Sequence, residues 1–233
     1  MVLVTVHGSL LQGAVGVGLG ILAAPLLALL APSFVPGPLL VSALVLSLLV
    51  VIRDRADLDL KGASWALVGR VPGTLIGASL LVVFAASAWL DVILGGLLLS
   101  CVLLAAGKGK LDVHPGRFWV AGAGLLSGTS GTAAGVGGPP IALVWSSLPA
   151  KRMRSTLAAY FLAGTMISVM VLAFSGGFGD VRALIWMVPS TVVGFALSGR
   201  VGDRLDGSGV RFVVLVLSGA ASAVLLVRGL IGL

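Results

Sequence analysis

Residues 8–52 carry no charged side chain, and residues 118–150 again carry none. About 20 apolar residues cross a bilayer as one helix, so each run is too long for a single crossing and has to be broken. The second run shows where. Ser127-Gly128-Thr129-Ser130-Gly131-Thr132-Ala133-Ala134-Gly135-Val136-Gly137-Gly138-Pro139-Pro140 is small, polar and glycine-rich. Gly and Pro are the weakest helix residues, and Pro139 and Pro140 supply no N–H, so a regular helix must stop there. In hydrocarbon such a break survives only where protein or a water-filled cavity satisfies the freed N–H and C=O groups. This stretch is therefore expected to line a path or a site.

The rest of the composition agrees with a membrane setting. Hydrophobic residues make up 58% of the chain and charged residues 10%, with a mean hydropathy of +1.18, which is outside the soluble class. The net charge of +7 falls in short basic clusters between apolar runs, the distribution that orients a polytopic protein rather than one that binds nucleic acid. Cys101 is the only cysteine, so one chain cannot build a disulfide, a cysteine zinc site or an iron–sulfur cluster. The first apolar run has no charged leader and no cleavage pattern, and is expected to be retained structure. Regular spacing of long apolar runs, none reading as a strand, argues for helices against a barrel.

In order, the chain reads as a broken segment to about Ala31, punctuated by Pro25 and Pro32, then a crossing over 38–52. The charged loop from Arg53 to Lys61 follows, then a helix over 62–86 carrying Arg70 and Pro72. A crossing from the Trp89-Leu90-Asp91 turn to about Ala106 completes the first half. Lys108, Lys110, Asp112, His114 and Arg117 form the central loop. The second half has the glycine-rich run, the cluster Lys151, Arg152 and Arg154, and crossings over 155–174, 183–198 and 212–227.

These halves repeat one another. Gly16-Val17-Gly18-Leu19-Gly20 resembles Gly135-Val136-Gly137-Gly138-Pro139. Val71-Pro72-Gly73-Thr74-Leu75-Ile76-Gly77 shares its valine, proline, threonine and last glycine with Val188-Pro189-Ser190-Thr191-Val192-Val193-Gly194, and residues 36–44 lie on 149–157. The ordered matches divide the chain into transmembrane repeats 1–110 and 111–233, together one membrane domain. Loop charge relates them. Successive loops carry no Lys or Arg, three, none and three in the first half, then three, one, three and one in the second. Positive loops face the cytoplasm, so equivalent loops lie on opposite sides and the repeat is inverted in topology.

The expected fold is all-α and polytopic, each half opening with a glycine-rich broken or re-entrant helical hairpin followed by three crossings. At ~1.5 Å per residue the second run makes two half-passes of a ~30 Å core, not two full ones. Six crossings with both termini outside result. Eight crossings with parallel repeats is the alternative, and it places two triply basic loops outside.

The paired glycine motifs, together with Leu148-Pro149-Ala150-Lys151-Arg152-Met153-Arg154-Ser155-Thr156-Leu157, resemble the sulfite exporter TauE/SafE family of bacterial membrane proteins over essentially the whole chain. Leu19 stands where that family has glycine. The resemblance implies transport of sulfite, sulfonates or related sulfur-containing anions across the bacterial inner membrane.

An anion at the midplane needs donors, and half-helix N-termini offer free N–H groups and a positive dipole end. In the second motif Gly135, Gly137 and Gly138 let backbone approach, Pro139 starts the returning helix, and Ser127, Thr129, Ser130 and Thr132 carry hydroxyls. Gly16, Gly18 and Gly20 are their counterparts in the first motif. Close helix packing by small residues is the competing account. Arg70 lies nine residues beyond Lys61, about 13 Å along a helix, and serves either a substrate or a snorkelling contact with the interface. Cys101 reads as a small packing residue, His7 and His114 as solvated, and the tryptophans as interfacial or packing residues. No Ser/His/acid grouping, paired intramembrane carboxylate or phosphate loop can be assembled, so the chain reads as no enzyme and calls for no cofactor. Its partners are the lipid bilayer and a small anion, with assembly into homo-oligomers open. The leading function is a secondary transporter of small oxyanions working by alternating access; an anion channel or a non-transporting partner subunit is the alternative.

Overall fold

The computed structural model describes residues 1–55, 60–85, 87–107, 116–201 and 207–233. The repeat boundary near residue 110 lies outside them, as do Lys108, Lys110, Asp112 and His114. The described residues contain ten α-helices and no strand: α1 (Val2–Val15), α2 (Leu19–Leu30), α3 (Gly37–Asp54), α4 (Leu60–Phe84), α5 (Trp89–Ala106), α6 (Arg117–Ala134), α7 (Gly138–Val144), α8 (Ala150–Ser175), α9 (Leu184–Val201) and α10 (Gly207–Ile231). Six segments, covering α3, α4, α5, α8, α9 and α10, are long and apolar enough to cross a membrane, while α1 and α2 are shorter apolar helices. The protein is an all-helical, multi-pass membrane protein.

Two breaks have the same construction. Gly16 ends α1 with φ 96° and gives its N–H to Gln12 O, and Gly135 ends α6 with φ 75° and gives its N–H to Gly131 O. Positive φ strains any residue with a Cβ, so glycine fixes both stops. The chain then turns into α2 at Leu19 and into α7 at Gly138. Pro25 does not break the first segment; it stays inside α2, as Pro72 and Pro189 stay inside α4 and α9. Neighbouring helices in a membrane protein tolerate the lost hydrogen bond. A second departure from the sequence reading is that α8 starts at Ala150, capped by Pro149, so Lys151, Arg152 and Arg154 occupy its first turns instead of a loop.

The end of α1 is held from three sides. Arg53 donates to Gly13 O (2.5 Å) and Ser198 Oγ (3.0 Å), and Arg154 donates to Ala14 O (3.0 Å). Both guanidiniums share Asp54, at 3.1 and 2.7 Å. Cations on the last carbonyls of a helix meet its negative dipole end, so this lattice fastens the first break to α3, α8 and α9.

Helix packing falls into matched sets. α1 lies on α9 as α6 lies on α4, α2 on α10 as α7 on α5, and α3 on α9 as α8 on α4. α3 and α8 pack antiparallel, with Asp54 on Arg154 at one end and the Asp180 N–H on Ser33 O (2.9 Å) at the other. α5 and α10 are also antiparallel, joined by Asp91 and Arg228 at 2.8 Å.

α4 and α6 run parallel and nearly touch by backbone. A Cβ built on Gly73 would overlap Leu125 O, and one on Gly124 would overlap Ala66 O. Between lipid-solvated helices there is no hydrophobic drive to associate, so this close contact is what holds the pair. Gly73→Ala and Gly124→Ala should each cost about 1–3 kcal/mol by overpacking. Gly122→Ala, on the same helix with nothing within 4 Å of its Cβ, should leave stability unchanged or raise it. Thermal unfolding midpoints of the three variants in one detergent measure the contrast; equal midpoints would remove the glycine ridge as the source of cohesion.

Candidate functional site

The two glycine breaks meet. A Cβ on Gly20 would fall on Gly135 O, and one on Gly138 would lie 2.6 Å from Val17 Cγ1. At this junction is a cavity of about 40 Å³, lined by Gly18 and Gly20 from the first break, by Gly131 and residues 135–138 around the second, and by Gln12, Arg70, Phe161 and Thr165. One water needs roughly 10–15 Å³ measured the same way, so the space suits a solute of a few heavy atoms.

Arg70 is the electrostatic centre of the junction. It is 1% exposed, so its guanidinium does not reach a surface and the snorkelling alternative is not taken. Nη1 donates to Ser127 Oγ (3.2 Å) and Nη2 to Thr165 Oγ1 (3.4 Å), while Nε has no partner. Cζ lies 4.9 Å from the Tyr160 ring and 5.8 Å from that of Phe161. Gly164 leaves the volume for the side chain: a Cβ there would coincide with Nε and Cδ. Ser127 in turn donates to Gly137 O (2.5 Å), tying the cation to the second break.

Among the described residues no carboxylate pairs with this guanidinium. Asp54 is taken by Arg53 and Arg154, Asp91 by Arg228, and Asp180 accepts the Arg182 N–H. A buried charge is costly unless paired, and arginine cannot relieve the cost by losing its proton. Neutral hydroxyls and aromatic faces offset part of it. Among the described residues the charge of this guanidinium is left without a compensating anion.

Of the residues singled out from the sequence, Arg70, Gly18, Gly20, Gly135, Gly137 and Gly138 line the cavity. Gly16 faces the Arg154 backbone: a Cβ built on it would lie 3.2 Å from Arg154 Cα. Ser127 holds Arg70 from behind. Thr129 and Ser130 give their hydroxyls to Leu125 O (3.0 Å) and Leu126 O (2.8 Å), one turn back on their own helix. Thr132 meets Ser168 Oγ at 2.8 Å, and Ser168 lies 3.4 Å from Thr74 Oγ1, a buried hydroxyl cluster. Pro139 is buried in the first turn of α7. Cys101 packs on the second break, Sγ 3.5 Å from Val136 O.

Sequence reasoning passed over Gln12, Thr165, Gly131 and the aromatic pair Tyr160 and Phe161. Two signals were there to be read: Gln12 is the only carboxamide side chain of the chain, and Tyr160 its only tyrosine. A unique polar residue in an apolar helix is worth singling out for that reason.

Among the described residues, six membrane-length helices pack with the shorter helices around the two glycine breaks, and a small cavity there holds a cation with no carboxylate partner, which defines a polytopic membrane protein. The chain belongs to the sulfite exporter TauE/SafE family, whose match covers residues 1–225, and is thereby a membrane transporter. No match was found among curated proteins or among solved structures.

Removing a buried charge without a carboxylate partner relieves an electrostatic cost. Arg70→Met should therefore keep or raise the thermal midpoint of the ligand-free protein, and any rise in midpoint that sulfite gives to the wild-type protein should be lost if the anion binds at Arg70. Arg70→Lys should restore only part of the response, because the planar fork is lost. A sharp fall of the ligand-free midpoint in Arg70→Met would make the residue structural.

Proposed function

We propose that the chain is a secondary transporter of small sulfur-containing oxyanions, working by alternating access around two opposed glycine-rich hairpins. The observation that carries this reading is Arg70, buried on the cavity where both breaks meet with no carboxylate beside it among the described residues. Arg70 supplies the charge. Gly18, Gly20, Gly135, Gly137 and Gly138 let backbone close around the anion, and Ser127 and Thr165 aim the guanidinium. Gly16, Thr129, Ser130, Thr132 and Pro139 support the breaks around the site. Family membership supports sulfite or a related anion as cargo.

In this reading residues 1–110 and 111–233 are inverted repeats, and α1–α2 and α6–α7 are re-entrant hairpins entering from opposite sides. The matched helix pairs support the duplication. The antiparallel course of α3 against α8 and of α5 against α10 supports the inversion, since equivalent helices of parallel repeats run the same way. The Arg53–Asp54–Arg154 lattice closes the positive, cytoplasmic end, and opening to that side has to separate Asp54 from Arg154.

Two experiments test the proposal. In proteoliposomes, counterflow with sulfite, sulfate, thiosulfate and small sulfonates should give saturable exchange for at least one sulfur oxyanion. Flux that rises linearly with concentration would make the protein a channel, and no flux a non-transporting subunit. For topology, in a Cys101→Ser background, cysteines at Gly116 and Ala150 should label from the cytoplasm and one at Val181 from outside. Labelling of Gly116 and Ala150 from opposite faces would replace the re-entrant hairpin by two full crossings.

A further inference from the structure

Among the described residues, the cavity lining holds one cation, Arg70, no carboxylate and no second basic group, and its other polar contributors are neutral. A singly charged anion beside Arg70 makes a buried pair with no net charge, whereas a doubly charged one leaves an uncompensated negative charge in the same low-dielectric space. Buried net charge is strongly disfavoured, and a dianion also gives up more hydration on entering.

Gln12 determines how the anion's remaining oxygens are met. Its backbone C=O accepts the Gly16 N–H that ends α1, and its side-chain Oε1 accepts the Leu19 N–H that begins α2 (3.1 Å). Because Leu19 N–H is a donor, the carboxamide can only present its oxygen to it. The NH2 end, which makes no hydrogen bond to the described residues, is therefore the free end of a side chain that lines the cavity. It carries two donors and no charge.

We propose that the cavity selects singly charged oxyanions over doubly charged ones of the same shape, with Gln12 as the neutral donor that complements Arg70. Sulfite is then carried as hydrogensulfite, and monosulfonates fit without a change of protonation. This inference rests on the reading of the cavity as the transport site.

Methanesulfonate and sulfate are the probes, since both present tetrahedral sulfur and a methyl group in one replaces an oxygen in the other. Wild-type protein in proteoliposomes is scored for half-saturation in counterflow, and in detergent for the rise in thermal midpoint. Methanesulfonate should bind at least ~10-fold tighter than sulfate, one unit of buried charge being worth that or more. Gln12→Leu should weaken methanesulfonate while leaving the order of the two anions unchanged. Gln12→Lys adds a second cation and should shift the order toward sulfate. Sulfate equal to or tighter than methanesulfonate in wild type overturns the charge selection and leaves the transport reading standing. Wild-type affinity in Gln12→Leu overturns the role of Gln12. If sulfite, thiosulfate, sulfate and the small sulfonates all fail to exchange and to shift the midpoint, the cavity is not the transport site and both readings fall. The wild-type comparison decides the charge selection even if Gln12→Lys does not fold.

Discussion

A single guanidinium, buried with no carboxylate beside it among the described residues, sets the terms for the centre of this protein. Leaving such a charge buried without an opposite charge beside it costs free energy. The surroundings lower that cost without cancelling the charge: hydroxyls of Ser127 and Thr165 accept two of its hydrogen bonds, and the rings of Tyr160 and Phe161 flank it. A carboxylate in the same place would stabilise the ligand-free state more and abolish the attraction for an anion. Partial compensation is what a carrier needs, because a cargo held too tightly is not released.

The glycines serve that same end by letting backbone take the place of side chains. Where α4 meets α6, any Cβ at Gly73 or Gly124 would strike a carbonyl of the facing helix, and where the two breaks meet, Gly20 and Gly135 are in backbone contact. Close backbone approach gives cohesion in a medium without a hydrophobic drive. At the junction it has a second result: the space left between the breaks is small and its walls are short, so polarity there comes from a few groups held in place. Arg70 is one, and its position depends on Gly164, whose missing Cβ leaves the room that Nε and Cδ occupy.

The crossings, the two glycine breaks and Arg70 were legible in the sequence because each leaves a local mark: apolar length, loss of helix propensity, and charge in an apolar run. The roles of single polar residues were less so. Thr129 and Ser130 look like donors in sequence, yet in an apolar helix interior the nearest acceptor is the carbonyl one turn back, and both hydroxyls go there. Thr165 and Gly164 sit ninety-odd residues from Arg70 on an unremarkable stretch of α8, and only packing of α4 on α8 brings them to it. Pro25 marks a break in sequence terms, but the αL stop at Gly16 ends the helix first and α2 absorbs the proline.

Laying Gly16 on Gly135, and Val71-Pro72 on Val188-Pro189, gives the cavity an unequal parentage. Gln12 and Arg70 both come from the first half. The positions that correspond in the second, Gly131 and Met187, carry no polar side chain: Gly131 lies against the Arg70 guanidinium, Nη2 being 3.5 Å from where its Cβ would be, and Met187 is 1% exposed in an apolar cluster. Like charges at both equivalent positions would repel across the axis and leave the empty site still harder to bury. The earlier stretch supplies charge and amide, while the later one supplies Ser127 and Thr165, which accept from the guanidinium, and Gly137, whose carbonyl accepts from Ser127. The cavity therefore takes its lining from two distant stretches of the chain, Gln12 to Arg70 and Gly131 to Thr165, and depends on both.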